Sequence, residues 1–375
     1  MYKIPFFRPN VRSLDANHLA KALKGEQNGL LEAFETQAAA YLGAQHAIAA
    51  VNPASALHLA LCALDIKRGD KIVCSVNAHP ALPEMIRHFD AEPIFVDIDT
   101  DGFNMNLEAL QKVLDENRSK KLRGILISFV AGQTPNLQKL YQIAKQHGAF
   151  VLEEACGAFG LTHQNRKVGA LEADMTLLSF SPIGVNTTAN VGVLVTAEGS
   201  LKERAVLLRN HGIDKSQSGP MEYTYDVLDI GCDYLPSALD LACALSELEK
   251  ADALLKRRMA IAAHYDKAFA DVPHITTPVK NGDHAYCAYV VKVDKNRDGF
   301  AKSLAEKGVQ TGLHYIPLHM MSYYRAKYSL RITSFPGALN NYQQILSLPL
   351  YADMSDGEVQ EVVNAVSDIA RARTW

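Results

Sequence analysis

"LLSFSPIGVNTTANVGVLVT", Leu177 to Thr196, decides how this chain is read. Its two ends have the aliphatic composition of buried strands, and a polar loop joins them. That loop is about nine residues long, too short for a helical crossover, so the second strand should run antiparallel to the first. Loops leaving the ends of sheet strands are where α/β proteins usually keep their chemistry. This one offers hydroxyls, Asn186, Asn190 and Gly184, but no Lys, His, Cys, Asp or Glu.

Working outward, short β-rich runs alternate with helix-length amphipathic runs. Strands are expected at Ile48–Val51, Lys71–Ser75, Pro93–Ile98, Gly124–Ser128, Phe150–Glu153, Met175–Ser181 and Val191–Thr196. Helices are expected near Ala54–Leu64, Leu82–Phe89, Leu107–Glu116 and Asn136–His147. Near-continuous apolar strands separated by helices imply a mostly parallel sheet covered on both faces. The pattern from Pro236 to Ala270 reads as one long helix connecting two domains. Beyond it a strand at Ala285–Val293, a helix, a strand near Thr311–Tyr315 and a terminal helix from Ser355 make a small α+β domain.

Composition narrows the function. With 48% hydrophobic and 21% charged residues, the chain is an ordinary soluble globular protein. A formal charge of −3 and only short basic clusters make nucleic acid a poor partner. No apolar run is long enough for a membrane span, and "MYKIPFFRPN" is not a signal peptide, which points to the cytoplasm. The six cysteines lie far apart without a CxxC pair and read as buried thiols in a reducing compartment. No histidine spacing matches a metal motif, so no metal is assigned.

Several strings occur in order along nearly the whole chain: "FETQAAAYLGAQHAIAAVNPASALHLALCAL", "AGQTPNLQKLYQIAKQHGAFVLEEACGAFG", "LRNHGI", "LHYIPLH" and "LSLPLYADMS". Together they resemble the DegT family of sugar-nucleotide aminotransferases, which are fold-type I pyridoxal phosphate (PLP) enzymes. The resemblance implies a seven-stranded, mostly parallel sheet with helices on both faces, plus a small C-terminal α+β domain. It divides the chain into a large PLP-transferase-like domain at 1–245, including the N-terminal segment, and a small domain at 246–375.

The family motif Ser-Phe-His-x-x-Lys carries the lysine that holds PLP as a Schiff base. Laid on "SFSPIG", Ser179 and Phe180 match, Ser181 stands at the His, and Gly184 stands at the Lys. The family run Thr-Thr-Gly-Glu-Gly-Gly becomes Thr187-Thr188-Ala189-Asn190-Val191-Gly192. Glycine neither condenses with an aldehyde nor moves a proton, so both tasks of that lysine are lost. Lys167 and Lys215 are the nearest substitutes, and each also reads as a surface lysine.

By the same resemblance, Glu154 stands where an Asp pairs with the pyridinium nitrogen, and His79 where an aromatic ring stacks. His79 before Pro80 equally reads as a turn residue at a helix start. Ala54, Ser55 and Ser179 fall at the phosphate cup, where Pro53 removes an amide donor. The family's Gly-x-Asn-x-Arg string is Gly231-Cys232-Asp233-Tyr234-Leu235, and its Thr-x-Gly-Pro loop is "GEQNG". Asn210-His211-Gly212 and the substrate-side residues His314, Tyr315, Pro317 and His319 still match, as turns and interfaces also would.

The resemblance therefore implies a cytoplasmic homodimer that has lost lysine-dependent transamination. It would be a pseudoenzyme, or a protein that binds a nucleotide sugar or pairs with an active relative. The alternatives are a PMP- or PLP-dependent sugar-modifying enzyme, dehydratase-like, or an aminotransferase with a displaced lysine, in amino-sugar or surface-polysaccharide biosynthesis. PLP or PMP remains possible as a ligand, with no covalent PLP expected.

Overall fold

The computed structural model describes residues 2–10, 14–181, 189–215, 223–372 and 375. Helices α1 (Ala16–Leu23) and α2 (Gln27–Leu42) lead into β1 (His46–Ala50). An alternating run follows: α3 (Pro53–Ala63), β2 (Lys71–Ser75), α4 (Ala81–His88), β3 (Glu92–Val96), α5 (Leu107–Glu116), β4 (Leu122–Ser128), α6 (Leu137–His147) and β5 (Phe150–Glu154). Asn52, Asn106 and Asn136 cap α3, α5 and α6 with side-chain oxygens, satisfying first-turn amides that have no intrahelical partner. Gly148 ends α6 at φ 59°, a left-handed stop that glycine adopts without a Cβ penalty.

A short hairpin, β6 (Thr162–His163) and β7 (Arg166–Lys167), precedes β8 (Met175–Phe180) and β9 (Val191–Thr196). The large sheet has the order β1-β9-β8-β5-β4-β2-β3. β9 is antiparallel to both its neighbours, and the other pairings are parallel. The expected strands and helices of this region are present, with ends shifted by at most two residues. Side chains alternate across the sheet: Val73, Ile125, Val151 and Leu178 join the core under α2, α5 and α6. Ile72, Leu126, Leu152 and Leu177 join the core under α3 and α4. That alternation turns Glu153 to the first face and Glu154 to the second.

Next come α7 (Gly199–Arg209), β10 (Ile213–Asp214) and β11 (Asp226–Val227). The single helix expected from Pro236 to Ala270 is two: α8 (Ala238–Leu248) and α9 (Ala251–Phe269). Lys250, at φ −113° and ψ 6°, leaves helical geometry between them. Leu248, Ala251 and Leu255 still pack in the core of the large sheet, beyond residue 245.

The C-terminal part has β12 (Ile275–Thr276), β13 (Tyr289–Val293), α10 (Arg297–Glu306), α11 (Ser322–Tyr328), α12 (Pro336–Gln344), β14 (Ile345–Leu348) and α13 (Asp356–Ala372). β12, β13 and β14 form a three-stranded antiparallel sheet. The strand expected near Thr311–Tyr315 is not formed. Only Gly312 bridges, to Ser347, and the third strand is instead Ile345–Leu348. Among the described residues no helix is long and apolar enough to cross a membrane.

Candidate functional site

The carboxyl ends of β4 and β5 place Ser128 and Glu154 side by side in register. In a doubly wound sheet this edge is where ligands bind. Here a cavity of about 460 Å³ opens between those strand ends, the start of α3 and the start of α4. Leu57, Leu82, Leu177 and Phe129 make much of its wall apolar.

Glu154 Oε1 accepts the Cys156 backbone N–H at 3.3 Å. Burial pushes the Glu154 carboxyl above the ordinary glutamate range, partly offset by Cys156 and by the nearby Ser128 hydroxyl. Burial also pushes the Cys287 thiol up to about 12. Cys156 is driven well up by burial and the facing Glu154 charge, and Tyr315 likewise. Both thiols and the phenol are therefore neutral near pH 7 and are neither bases nor activated nucleophiles. His79 is the one basic side chain in the described wall, and its Nδ1 accepts the Ala81 N–H at 3.2 Å. It thus both lines the cavity and caps the start of α4.

Of the residues singled out in the sequence, Ala54, His79, Glu154, Ser179 and Tyr315 line this cavity. Ser55 does not: its N–H is spent on Asn52 Oδ1 at 2.7 Å. His314 pairs with Ser347 Oγ at 2.8 Å, and burial lowers its pKa to about 4. His319 is fully buried and donates to the Ile332 carbonyl at 2.9 Å. Neither histidine reaches the cavity wall. Gly184 lies outside the described residues.

Lys167 is not among the lining residues either. Its ammonium bonds Asp252 at 3.2 Å and the Gly160 carbonyl at 3.3 Å, and sits 4.2 Å from the Tyr41 ring centre. Lys215, Asp233 and Leu235 are also absent from the wall, and Asn210 forms a backbone bridge to Asp233. Asn190, noted in the sequence as a loop amide, also lines the cavity, as do Ser128, Cys156 and Cys287, which were not singled out. A small residue at a strand end and scattered thiols carry no pattern of their own. Among the described residues no cluster of three His, Cys, Asp or Glu side chains is suited to a metal ion.

A seven-stranded sheet with one reversed strand, and a cavity at its strand ends, define a fold-type I aminotransferase-like protein. The model of the DegT/DnrJ/EryC1/StrS aminotransferase family matches residues 12–367, and the chain belongs to that family. It is 32% identical to the spore coat polysaccharide biosynthesis protein SpsC of Bacillus subtilis (strain 168), over 96% of this chain and 92% of the relative. The crystal structure of S. venezuelae DesV, in complex with a ketimine intermediate, superposes with a TM-score of 0.89 at 26% identity, covering 99% of both chains. The PMP form of Spr1654 from Streptococcus pneumoniae gives a TM-score of 0.90 at 21% identity, covering 99% of this chain and all of that one, and shows the shared fold.

Whether a pyridoxal-type cofactor fits depends on both of its ends. At the ring nitrogen, Glu154 supplies a suitable acceptor. At the phosphate cup, Pro53 has no N–H, Ser55 N–H is bound to Asn52 Oδ1, and Ala56 N–H is bound to the Asn52 carbonyl at 2.9 Å. The Ser179 hydroxyl donates to Ser181 at 2.7 Å. No Lys or Arg lines the cavity among the described residues. No amine in the described wall fits a lysine-anchored cofactor.

Proposed function

We propose that this chain is a sugar-nucleotide aminotransferase homologue that does not perform lysine-dependent transamination and uses its cavity to bind a ligand. The ligand class is a nucleotide sugar, in the amino-sugar or surface-polysaccharide context of its relatives. One observation carries this: the cavity keeps a volume of about 460 Å³ at the expected sheet edge, while no amine stands in its described wall. Gly184 occupies the position of the family lysine, and Lys167 is engaged elsewhere. Six free cysteines accord with a cytoplasmic setting. A homodimer belongs to the same proposal.

The second reading, a PMP-dependent sugar-modifying enzyme, is favoured by Glu154, which keeps a carboxylate opposite a ring nitrogen. An absorption spectrum separates the two. Added PLP or PMP should keep the spectrum of the free compound in the presence of the protein. A shifted band that survives gel filtration would favour the second reading.

A further inference from the structure

Two half-buried cysteines away from the cavity share one histidine-centred cluster: Cys62 in the last turn of α3, and Cys232 beyond β11. Cys62 Sγ lies 3.6 Å from Nδ1 of His58, one turn earlier on the same helix. The Tyr234 hydroxyl lies 3.3 Å from that nitrogen and also hydrogen-bonds the Cys232 thiol. Among titratable neighbours, Cys232 acts most strongly on Cys62. Arg204 of α7 holds the two segments face to face, donating to the Cys62 carbonyl at 3.2 Å and pairing with Asp229 at 3.1 Å. None of these residues lines the cavity.

Burial pushes the Cys62 thiol up to about 12, so it holds its proton against a free oxidant. Burial, with His88 alongside, lowers the His58 pKa, so the imidazole is neutral near pH 7 and Nδ1 can accept a proton. We propose that Cys232 and Cys62 form a dithiol site that takes a low-molecular-weight disulfide, such as oxidised glutathione, and closes to an intramolecular bond with His58 as the base. The Cys232 sulfur attacks one sulfur of the oxidant, forming a mixed disulfide and releasing one thiolate, which takes the Cys232 proton. Cys62 then gives its proton to His58 Nδ1 and attacks the Cys232 sulfur. The second thiolate leaves and takes that proton from His58. The chain loses two hydrogens and two electrons, and the oxidant becomes two thiols. Because the second attack is intramolecular, proximity offsets the high pKa of Cys62. The bond fastens α3, whose first turn borders the cavity, to the segment that follows the exposed residues Tyr225 to Ile230. It does not depend on what the cavity binds.

The test incubates the reduced full chain with oxidised glutathione, alkylates the remaining thiols, and maps the peptides by mass spectrometry over time. Two of the six cysteines should be lost together as a Cys62–Cys232 bond, with the other four still alkylated. Cys62→Ser should stop at glutathione on Cys232, because no second thiol closes the bond. His58→Gln should leave the first step unchanged, accumulate the same mixed disulfide, and slow closure at least about tenfold. A residue that only packed the cluster would not split the two steps in this way. If a variant does not fold, the wild-type map still decides. No Cys62–Cys232 bond, a bond between another pair, similar reaction of all six thiols, or glutathione appearing first on Cys62 would each overturn the proposal. An unchanged closing rate in folded His58→Gln would overturn the role of His58.

Discussion

Glu153 and Glu154 follow one another on β5 and face opposite sides of the large sheet. Glu153 is fully buried under α6, where Tyr141 donates to one oxygen and Thr176 to the other at 2.8 Å. Glu154 lines the cavity on the other side. One strand thus carries a core-facing carboxylate and a cavity-facing one in adjacent positions.

The buried Glu153 gives a pH signature. Burial raises its pKa from 4.5 to about 6. An acid with a raised folded pKa holds its proton more readily in the folded chain, so stability falls as pH rises from 4.5 towards 6. The span corresponds to about 2 kcal/mol. Glu154 acts in the same direction. Denaturant unfolding of Glu153→Gln across this window should show a flatter pH dependence than wild type. An unchanged slope would mean that Glu153 is not buried as described.

The cavity wall contains a tight contact. A Cβ added at Gly157 would collide with Cys287 Sγ and lie 3.0 Å from Cys287 Cβ. Gly157→Ala should cost about 1–3 kcal/mol through overpacking. Adding Cys287→Ala should return much of that loss, read as a coupling energy in a double-mutant cycle. Strictly additive effects would place the thiol elsewhere.

Gly184→Lys alone should not restore transamination. By the family resemblance the regained amine would still lack the family's Asp, replaced by the longer Glu154, and its stacking aromatic, replaced by His79, while the Ser55 N–H stays bound to Asn52. Groups that act as a unit recover little when one member returns. Conversion of a 4-keto sugar nucleotide with glutamate by this single variant would show that the remaining machinery is intact.

A homodimer has a structural candidate for its contact. Tyr223, Tyr225, Val227, Leu228 and Ile230 are each more than half exposed within eight residues, a patch of the kind that marks an interface. Light scattering should give twice the 41.1 kDa chain mass, and Ile230→Asp should reduce it towards one chain. A wild-type mass near 41.1 kDa at micromolar concentration would contradict the dimer.

Much of the fold was legible because its strands are short apolar runs between capped amphipathic helices. The reversed strand was legible from one short loop. The break at Glu249–Lys250 was hidden because "ELEKA", Glu247 to Ala251, contains only good helix formers and no Gly or Pro. Ile345–Leu348 was hidden because a run of four residues, three of them apolar, directly after a helix is too short to show a period. At the site, family positions located Glu154, His79 and Ser179. Ser128, Cys156 and Cys287 come from three separate segments, so only folding brings them to one cavity.

The loss of lysine-dependent chemistry is tested most directly by incubating the protein with PLP, reducing with borohydride, and mapping the peptides. The expected result is no stoichiometric pyridoxyl label on any one lysine, with only sparse labelling of exposed ones. Stoichiometric labelling of a single lysine, Lys167 or Lys215 above all, would contradict it and identify a displaced catalytic amine.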